Sequence, residues 1–239
     1  MTPKQISESV GLTRRLGTVV RWPLGMTLAS WRYLWRISPL HRTDEEGTRQ
    51  DLGPRISAGG SNLQRAEDGV GALFHRVYSV RIEGSSMTPK QLIDAIAQDP
   101  NRAAPVEVAF FRKTVGDAGD LRLGDEFLVR MPGPWDGPVR VIDRGPRSFR
   151  LITLAGHLEA GQIEFRADQD DAAIRFEIES WARSGDRLSE LLFDRVRVVK
   201  EMQLHMWTHF CERVGKLAGG RVRGGIHVLT RRLQEPPGE

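Results

Sequence analysis

Hydrophobic residues alternate with polar ones in several short stretches of the chain. The clearest is residues 148–184, which predicts three strands joined by two turns. In its last strand, Ile174, Phe176 and Ile178 alternate with Arg175 and glutamates, the period of two expected for a strand with one buried face. Four similar stretches come before it, at residues 73–82, 106–114, 127–131 and 139–143. The pattern therefore predicts seven strands.

Two other stretches have helical periodicity. Thr88 can cap a short helix whose first residue is Pro89, and this helix is predicted to end near Ala97. A much longer pattern runs from about residue 186 to Leu217, where apolar residues recur at steps of three, four or seven and form one buried stripe. The predicted order is a strand, a helix, six strands and a long C-terminal helix.

Sequence character divides the chain into four segments. Residues 1–42 are basic and aromatic and predict an extra N-terminal helical segment. Residues 43–70 are polar and lack periodicity, which is typical of a linker or mobile loop. Residues 71–218 form the predicted body. Residues 219–239 form a basic tail with one short strand predicted at residues 225–230.

Composition and charge narrow the class of protein. A hydrophobic content of 39% with 28% charged residues is that of a folded globular protein. The single cysteine, Cys211, excludes an internal disulfide framework and favours a reducing compartment, so a cytoplasmic location is predicted. The net charge is +6 in residues 1–42 and +4 in residues 213–239, around an acidic middle. Such basic ends are either simply solvated or bind an anionic membrane, a nucleic acid or an acidic partner.

The N-terminal segment leaves three interpretations open. Arg21, Pro23 and Arg32 interrupt its most apolar run, so a membrane span is not predicted. A helix beginning at Pro23 would dock on the body, bind a partner, or lie in the headgroup region of an anionic membrane, where Trp and Arg anchor helices. In the membrane interpretation the protein is peripherally associated, through Trp22, Trp31, Arg32, Trp35 and Arg36.

The turn between the predicted strands at residues 156–161 carries the best candidates for chemistry. His157 and Glu159 lie two residues apart between Gly156 and Gly161. A histidine oriented by a carboxylate is a plausible general base. The alternative is that both side chains hydrogen-bond the backbone of a bend between strands. His205 and His209 are one helical turn apart, and Glu201 and Glu212 could extend the pair, but no Glu directly follows His205 as in the metalloprotease helix motif, so no metal site is predicted.

The same turn carries a resemblance to a known family. It is carried by residues 153–161, Phe165, the sequence Trp181-Ala182-Arg183 and a long helix containing Gln203. Together these features resemble the family called domain of unknown function 1990, within the SRPBCC superfamily of START and birch-pollen-allergen-like proteins. The chain departs from the family's usual Gly-Glu at Gly161-Gln162. The resemblance implies an α+β helix-grip fold, in which a curved antiparallel sheet of about seven strands wraps the long C-terminal helix.

That fold implies a cavity between the sheet and the helix. Three functions stay open: non-catalytic binding or transport of a hydrophobic or amphipathic, lipid-like molecule; a cyclase- or hydrolase-type enzyme acting through His157 and Glu159; and an interaction protein whose cavity is filled by its own side chains. No cofactor and no specific nucleic-acid partner are predicted, and Trp135 would be either a lid over the cavity or a plug of its own turn. The predicted ligand-binding residues are Trp135, Phe149, Leu151, Phe165, Phe176, Trp181, Met206 and Phe210.

Overall fold

The computed structural model describes residues 38–57, 59–60, 62–131, 136–185 and 198–233. The described chain contains two α-helices, α1 (Pro89–Gln98) and α2 (Val198–Leu217). It also contains nine strands, β1 (Leu40–Glu46), β2 (Val70–Glu83), β3 (Phe110–Val115), β4 (Glu126–Arg130), β5 (Asp136–Arg144), β6 (Ser148–Thr153), β7 (Glu159–Asp170), β8 (Ala173–Ser184) and β9 (Arg221–Leu233). The α+β class is confirmed.

All nine strands belong to one sheet, in the order β1-β9-β2-β8-β7-β6-β5-β4-β3. Neighbours are antiparallel except β1 and β9, which are parallel, so the sheet is mixed rather than purely antiparallel. The seven predicted strands are β2 to β8, and each is present. The predicted strand count was too low because β1 and β9 were not recognised as parts of the sheet.

Strand β9 lies in the segment predicted to be a basic tail. It has 13 residues instead of a short strand at residues 225–230, and it pairs with β2 along most of its length. Gly224 and Gly225 have positive φ angles of 73° and 86° and lie where the pairing with β2 shifts register. This bulge interrupts the period of two, which is why the sequence pattern did not indicate a strand of this length.

Strand β1 lies partly in the segment predicted to be a linker. Leu40 to Glu46 pair in parallel with Ile226 to Arg232 at one edge of the sheet. All of its residues after Leu40 are exposed, so no apolar alternation marks it. Two short 3-10 helices, Arg49–Asp51 and Ala66–Asp68, follow it. The predicted body boundary near Val70 therefore separates β1 from the other eight strands of its sheet.

The inner face of the sheet, defined as the face against which α2 packs, holds the main core. Phe149 stacks on Phe165 with ring centroids 4.7 Å apart. Phe210 of α2 lies 5.5 Å from Phe165 and 6.2 Å from Phe176. We call these four side chains the aromatic core. They are almost completely buried, so they fix α2 on the sheet through a large apolar contact.

The helix ends and strand starts follow local chemistry. Thr88 Oγ1 accepts a hydrogen bond from the Gln91 N–H, which confirms the predicted cap of α1. Strand β3 begins at Phe110 rather than at residue 106, because the Val108 N–H turns back to the Pro105 carbonyl at 2.7 Å.

Residues 186–197, predicted to begin the long helix, lie outside the described residues. No helix in the described part of the chain is long and apolar enough to span a bilayer.

If β9 is part of the core, its inward side chains must contribute to stability. Ile226 is 2% exposed, so Ile226→Ala is expected to lower the free energy of unfolding by about 2 to 4 kcal/mol, measured by urea denaturation. The matched control is Arg232→Ala on the same strand, where the exposed side chain predicts a change within about 0.5 kcal/mol. Equal effects of the two substitutions would contradict the structural role of β9.

Candidate functional site

A cavity of about 80 Å³ lies between α2 and the inner face, beside the aromatic core. It exists because inward residues near one end of β7 and β8 are small: Gly161, Ser180 and Ala182 take positions that Phe165 and Phe176 occupy further along the strands. The larger side chains around it are mostly apolar. They are Tyr78, Phe111, Val129, Met131, Val139, Leu151, Leu158, Ile163, Met206 and Trp207.

Three polar side chains meet at this cavity, and we call them the polar trio. Glu159 Oε2 accepts a hydrogen bond from Gln203 Nε2 at 2.6 Å. Glu159 Oε1 lies 3.9 Å from a guanidinium nitrogen of Arg76, and the side chains of Arg76 and Glu159 are 12% and 14% exposed. A largely buried charged pair of this kind is costly unless its hydrogen bonds are completed.

The fold explains how distant parts of the sequence form the trio. Arg76 has the same parity on β2 as Tyr78, Val80 and Ile82, so its side chain is on the inner face. Gln203 precedes Met206 and Phe210 by three and seven residues and lies on the same helical stripe. Neither residue was predicted as a site residue. A charged residue on an otherwise apolar strand face is the sequence signal that could have identified Arg76.

Burial changes the acid–base properties of the cavity wall. Burial raises the pKa of Glu159, an effect that the Arg76 guanidinium and the Gln203 hydrogen bond oppose. Burial also raises the pKa of Tyr78 to about 12, so its phenol is neutral at physiological pH. The site therefore holds one permanent cation, Arg76, and one carboxyl group that is easier to protonate than an exposed glutamate.

His157 and Glu159 are both at the cavity, but they do not form a histidine–carboxylate pair. Nδ1 of His157 lies 2.9 Å from the Glu159 backbone nitrogen and 3.1 Å from the Glu159 carbonyl oxygen, so the ring is held by the backbone of Glu159 and not by its carboxylate. A Cβ atom added at Gly137 would lie 2.9 Å from His157 Nε2, which shows how closely the ring packs. Burial lowers the pKa of His157 to about 4. The imidazole is thus a neutral hydrogen-bonding part of the turn.

Gln64 fixes this turn from a region that was predicted to be a linker. Its Nε2 donates to the carbonyls of His157 and Glu159 at 2.9 and 3.0 Å, and its Oε1 accepts from the Gly156 N–H at 3.2 Å. Gly161 is required next to it, because a Cβ there would lie 2.0 Å from the Trp181 carbonyl oxygen. No local sequence signal marks Gln64, since its hydrogen bonds within the described part of the chain all join it to residues far away in sequence.

The predicted ligand-binding residues separate into four groups. Leu151 and Met206 line the cavity. Phe149, Phe165, Phe176 and Phe210 form the aromatic core and do not line it, because they pack against one another. Trp135 lies outside the described residues, as do the predicted membrane contacts Trp22, Trp31, Arg32, Trp35 and Arg36.

Trp181 was wrongly assigned to the cavity. On β8 the inner positions are Ile174, Phe176 and Ile178, so residue 181 has the opposite parity and lies on the outer face. There it stacks on His75, with ring centroids 5.3 Å apart. Gly53 packs on the indole so closely that an added Cβ would lie 2.9 Å from its ring.

Residue Gln162, where the chain departs from the family's usual glutamate, also belongs to the outer face. Its Nε2 donates to the Pro54 carbonyl at 2.8 Å and so anchors the segment that covers Trp181.

His205 and His209 are in edge contact on α2, with ring centroids 4.3 Å apart. Within the described residues no group of three or more His, Cys, Asp or Glu side chains could hold a metal ion.

The fold and site define a class of protein: an α+β domain in which a broad sheet and a long helix enclose a small, largely apolar cavity with a buried polar end. Within this class, the chain belongs to the family described as Domain of unknown function (DUF1990), whose model matches residues 74–213. The family predicted from the turn motif is confirmed. No curated protein gives a significant match.

Several solved structures are similar to part of this chain. A conserved protein from Geobacillus kaustophilus is 12% identical, with 61% of this chain and 95% of that chain covered and a TM-score of 0.41. Norcoclaurine synthase from Thalictrum flavum is 10% identical, with 69% and 98% covered and a TM-score of 0.44. The di-domain ARO/CYC protein StfQ from the steffimycin pathway is 10% identical, with 64% and 52% covered and a TM-score of 0.47.

The pKa of His157 predicts a pH-dependent stability. Its folded pKa of about 4 is below the unfolded value of 6.5, so the unfolded chain binds more protons and stability is lost as the pH falls from 6.5 towards 4. His157→Asn keeps an acceptor for the Glu159 N–H but does not titrate. Relative to this variant, the native protein should lose roughly 2 kcal/mol over that range in urea denaturation.

The control for this experiment is His227→Asn, which replaces an exposed histidine on β9. It should leave the acid-side loss of stability unchanged. If His157→Asn retains the same loss as the native protein, the neutral imidazole of His157 is not its cause.

Proposed function

We propose that the cavity binds a small apolar or amphipathic molecule and holds or carries it without chemical change. The observation that carries this proposal is the polar trio at one end of an otherwise apolar cavity. Side chains buried only for stability would be expected to complete their own hydrogen bonds. Arg76 instead approaches Glu159 to 3.9 Å without a direct hydrogen bond and remains on the cavity wall.

The apolar walls supply the driving force for binding. Leu151, Met206 and Trp207 offer aliphatic and aromatic surface to a ligand, and removing such surface from water contributes about 25 cal/mol per Å². The polar trio then orients one end of the ligand. A few well-placed polar groups in an apolar pocket are the usual arrangement of a small-molecule site.

Size limits the ligand. A volume of about 80 Å³ is about half of that of a cavity of ~150 Å³ that takes up benzene. A larger ligand therefore requires the walls to move. Met131 and Met206 suit this, because unbranched thioether side chains repack easily.

Catalysis in the same cavity is the second candidate, and the buried carboxyl group of Glu159 favours it. A carboxylic acid with a raised pKa in an apolar site is a typical general acid. The role of His157 in this candidate is reduced to shaping the turn, because its Nδ1 is engaged by the Glu159 N–H. Once a ligand is known, loss of turnover with retained binding in Glu159→Gln would favour catalysis over simple binding.

We also propose that the N-terminal segment brings the cavity to an anionic membrane surface. Its support is the sequence alone, a net charge of +6 in residues 1–42 with tryptophans at helical spacing. This placement would give an apolar ligand a source and a destination. It is independent of the cavity proposal, and each can fail without the other.

Filling the cavity should abolish ligand binding. Ser180 lies on the cavity wall, so Ser180→Leu places an isobutyl group into the cavity. Native mass spectrometry of freshly purified protein is expected to detect a bound small molecule in the native chain and more than about tenfold less in this variant.

The matched control is Ser79→Leu on the neighbouring strand β2. Ser79 has the parity opposite to Tyr78 and Val80, so the same substitution falls on the outer face. Equal ligand occupancy in both variants, or no bound molecule in the native protein, would contradict the binding proposal.

The membrane proposal predicts flotation of the full-length protein with phosphatidylserine-containing vesicles. Replacing Trp31, Arg32, Trp35 and Arg36 by alanine should weaken binding by more than about tenfold, because each basic residue near an anionic surface contributes about 1 kcal/mol. Neutral vesicles are the control. Absence of flotation, or equal flotation of native and substituted protein, would refute this role.

A further inference from the structure

We infer that the polar group of the ligand is a neutral hydroxyl that accepts a hydrogen bond from Arg76 and donates one to Glu159. This inference rests on the proposed binding function and specifies the chemical class of the ligand. It excludes free fatty acids and amines as the preferred occupants of the cavity. It follows from the spacing, the partners and the charges of the polar trio.

The spacing between the two charged side chains is the first argument. The guanidinium nitrogen of Arg76 and Oε1 of Glu159 are 3.9 Å apart, beyond hydrogen-bond distance. A single oxygen placed about 2.8 Å from each would complete both groups. A hydroxyl is the smallest group that both accepts and donates through one oxygen.

The contacts within the polar trio leave the Arg76 guanidinium and Glu159 Oε1 available to a ligand. Gln203 is committed to Glu159 Oε2, which directs the carboxyl group and leaves Oε1 facing Arg76. Within the described residues, a guanidinium nitrogen of Arg76 lies 3.9 Å from Glu159 Oε1, and the guanidinium carbon lies 4.8 Å from the centroid of the Phe74 ring. A guanidinium has five N–H donors, so its lack of a described hydrogen-bond acceptor inside a cavity points to a ligand.

The charge balance selects a neutral group. The other polar groups at this end are neutral: His157 with a pKa of about 4, Tyr78 with a pKa of about 12, and Thr153, whose hydroxyl is within 2.7 Å of the Gln64 carbonyl. A carboxylate ligand attracted to Arg76 would approach the Glu159 carboxyl group. An ammonium attracted to Glu159 would approach Arg76. Only a neutral donor and acceptor satisfies both without desolvating a further charge.

The test compares four probes that share one ring: cyclohexanol, cyclohexanone, cyclohexanecarboxylate and cyclohexylammonium. Affinities are measured by amide chemical-shift titration of the full-length protein at neutral pH. Cyclohexanol should bind about tenfold more tightly than the other three. Cyclohexanone is the most informative competitor, because it accepts from Arg76 but cannot donate to Glu159.

Substitutions test whether the preference for the hydroxyl arises at Arg76 and Glu159. In the double variant Arg76→Met/Glu159→Gln, which removes both charges together and keeps side chains of similar length, cyclohexanol and cyclohexanone should differ by less than about twofold. Arg81→Met is the control, since Arg81 is an exposed arginine on the outer face of the same strand. It should leave the cyclohexanol preference unchanged.

The outcomes separate this inference from the proposed function. Equal binding of the alcohol and the ketone, or tightest binding of the carboxylate or the amine, overturns the hydroxyl while leaving a ligand-binding cavity. A preference that survives in the double variant overturns the assignment to Arg76 and Glu159. If none of the four probes binds, the inference is overturned, whereas the proposed function is decided separately by the native mass spectrometry of the native chain and Ser180→Leu.

Discussion

The packing of Phe210 against Phe165 and Phe176 is the contact on which the rest of the structure depends. It holds α2 on the sheet at a separation set by aromatic rings. Where the inward residues of the sheet become small, at Gly161 and Ser180, that separation leaves space that the chain does not fill. The cavity is thus a consequence of a size change along two strands, and α2 supplies its opposite wall.

The predictable part of the fold is the part with one buried face. The alternation in β2 to β8 and the cap of α1 are local signals, and each identified its element. β1 has no such signal because its side chains are exposed, and the bulge at Gly224 and Gly225 interrupts the pattern of β9. Both strands are defined by pairing with distant residues, which periodicity cannot indicate.

The candidate site also has one part that the sequence indicates and one part that it does not. The turn predicted at residues 156–161 was recognisable from its glycines and polar residues, and it does lie at the cavity, although its last three residues already belong to β7. The pairing of His157 with Glu159 was not correct, since a backbone N–H competes for the ring nitrogen. Trp181 could have been excluded by strand parity. Gln64 and Gln203 reach the site only through the tertiary fold, so no local pattern identifies their roles.

A polar trio at the wall of a cavity has one physical requirement, which is a partner for the groups that are left incomplete. A crystal structure of the protein as purified tests this requirement most directly. The account predicts electron density for a small molecule inside the cavity, with one oxygen within hydrogen-bond distance of both Arg76 and Glu159. A cavity without such density, in which Arg76 and Glu159 close into a direct salt bridge, would contradict it.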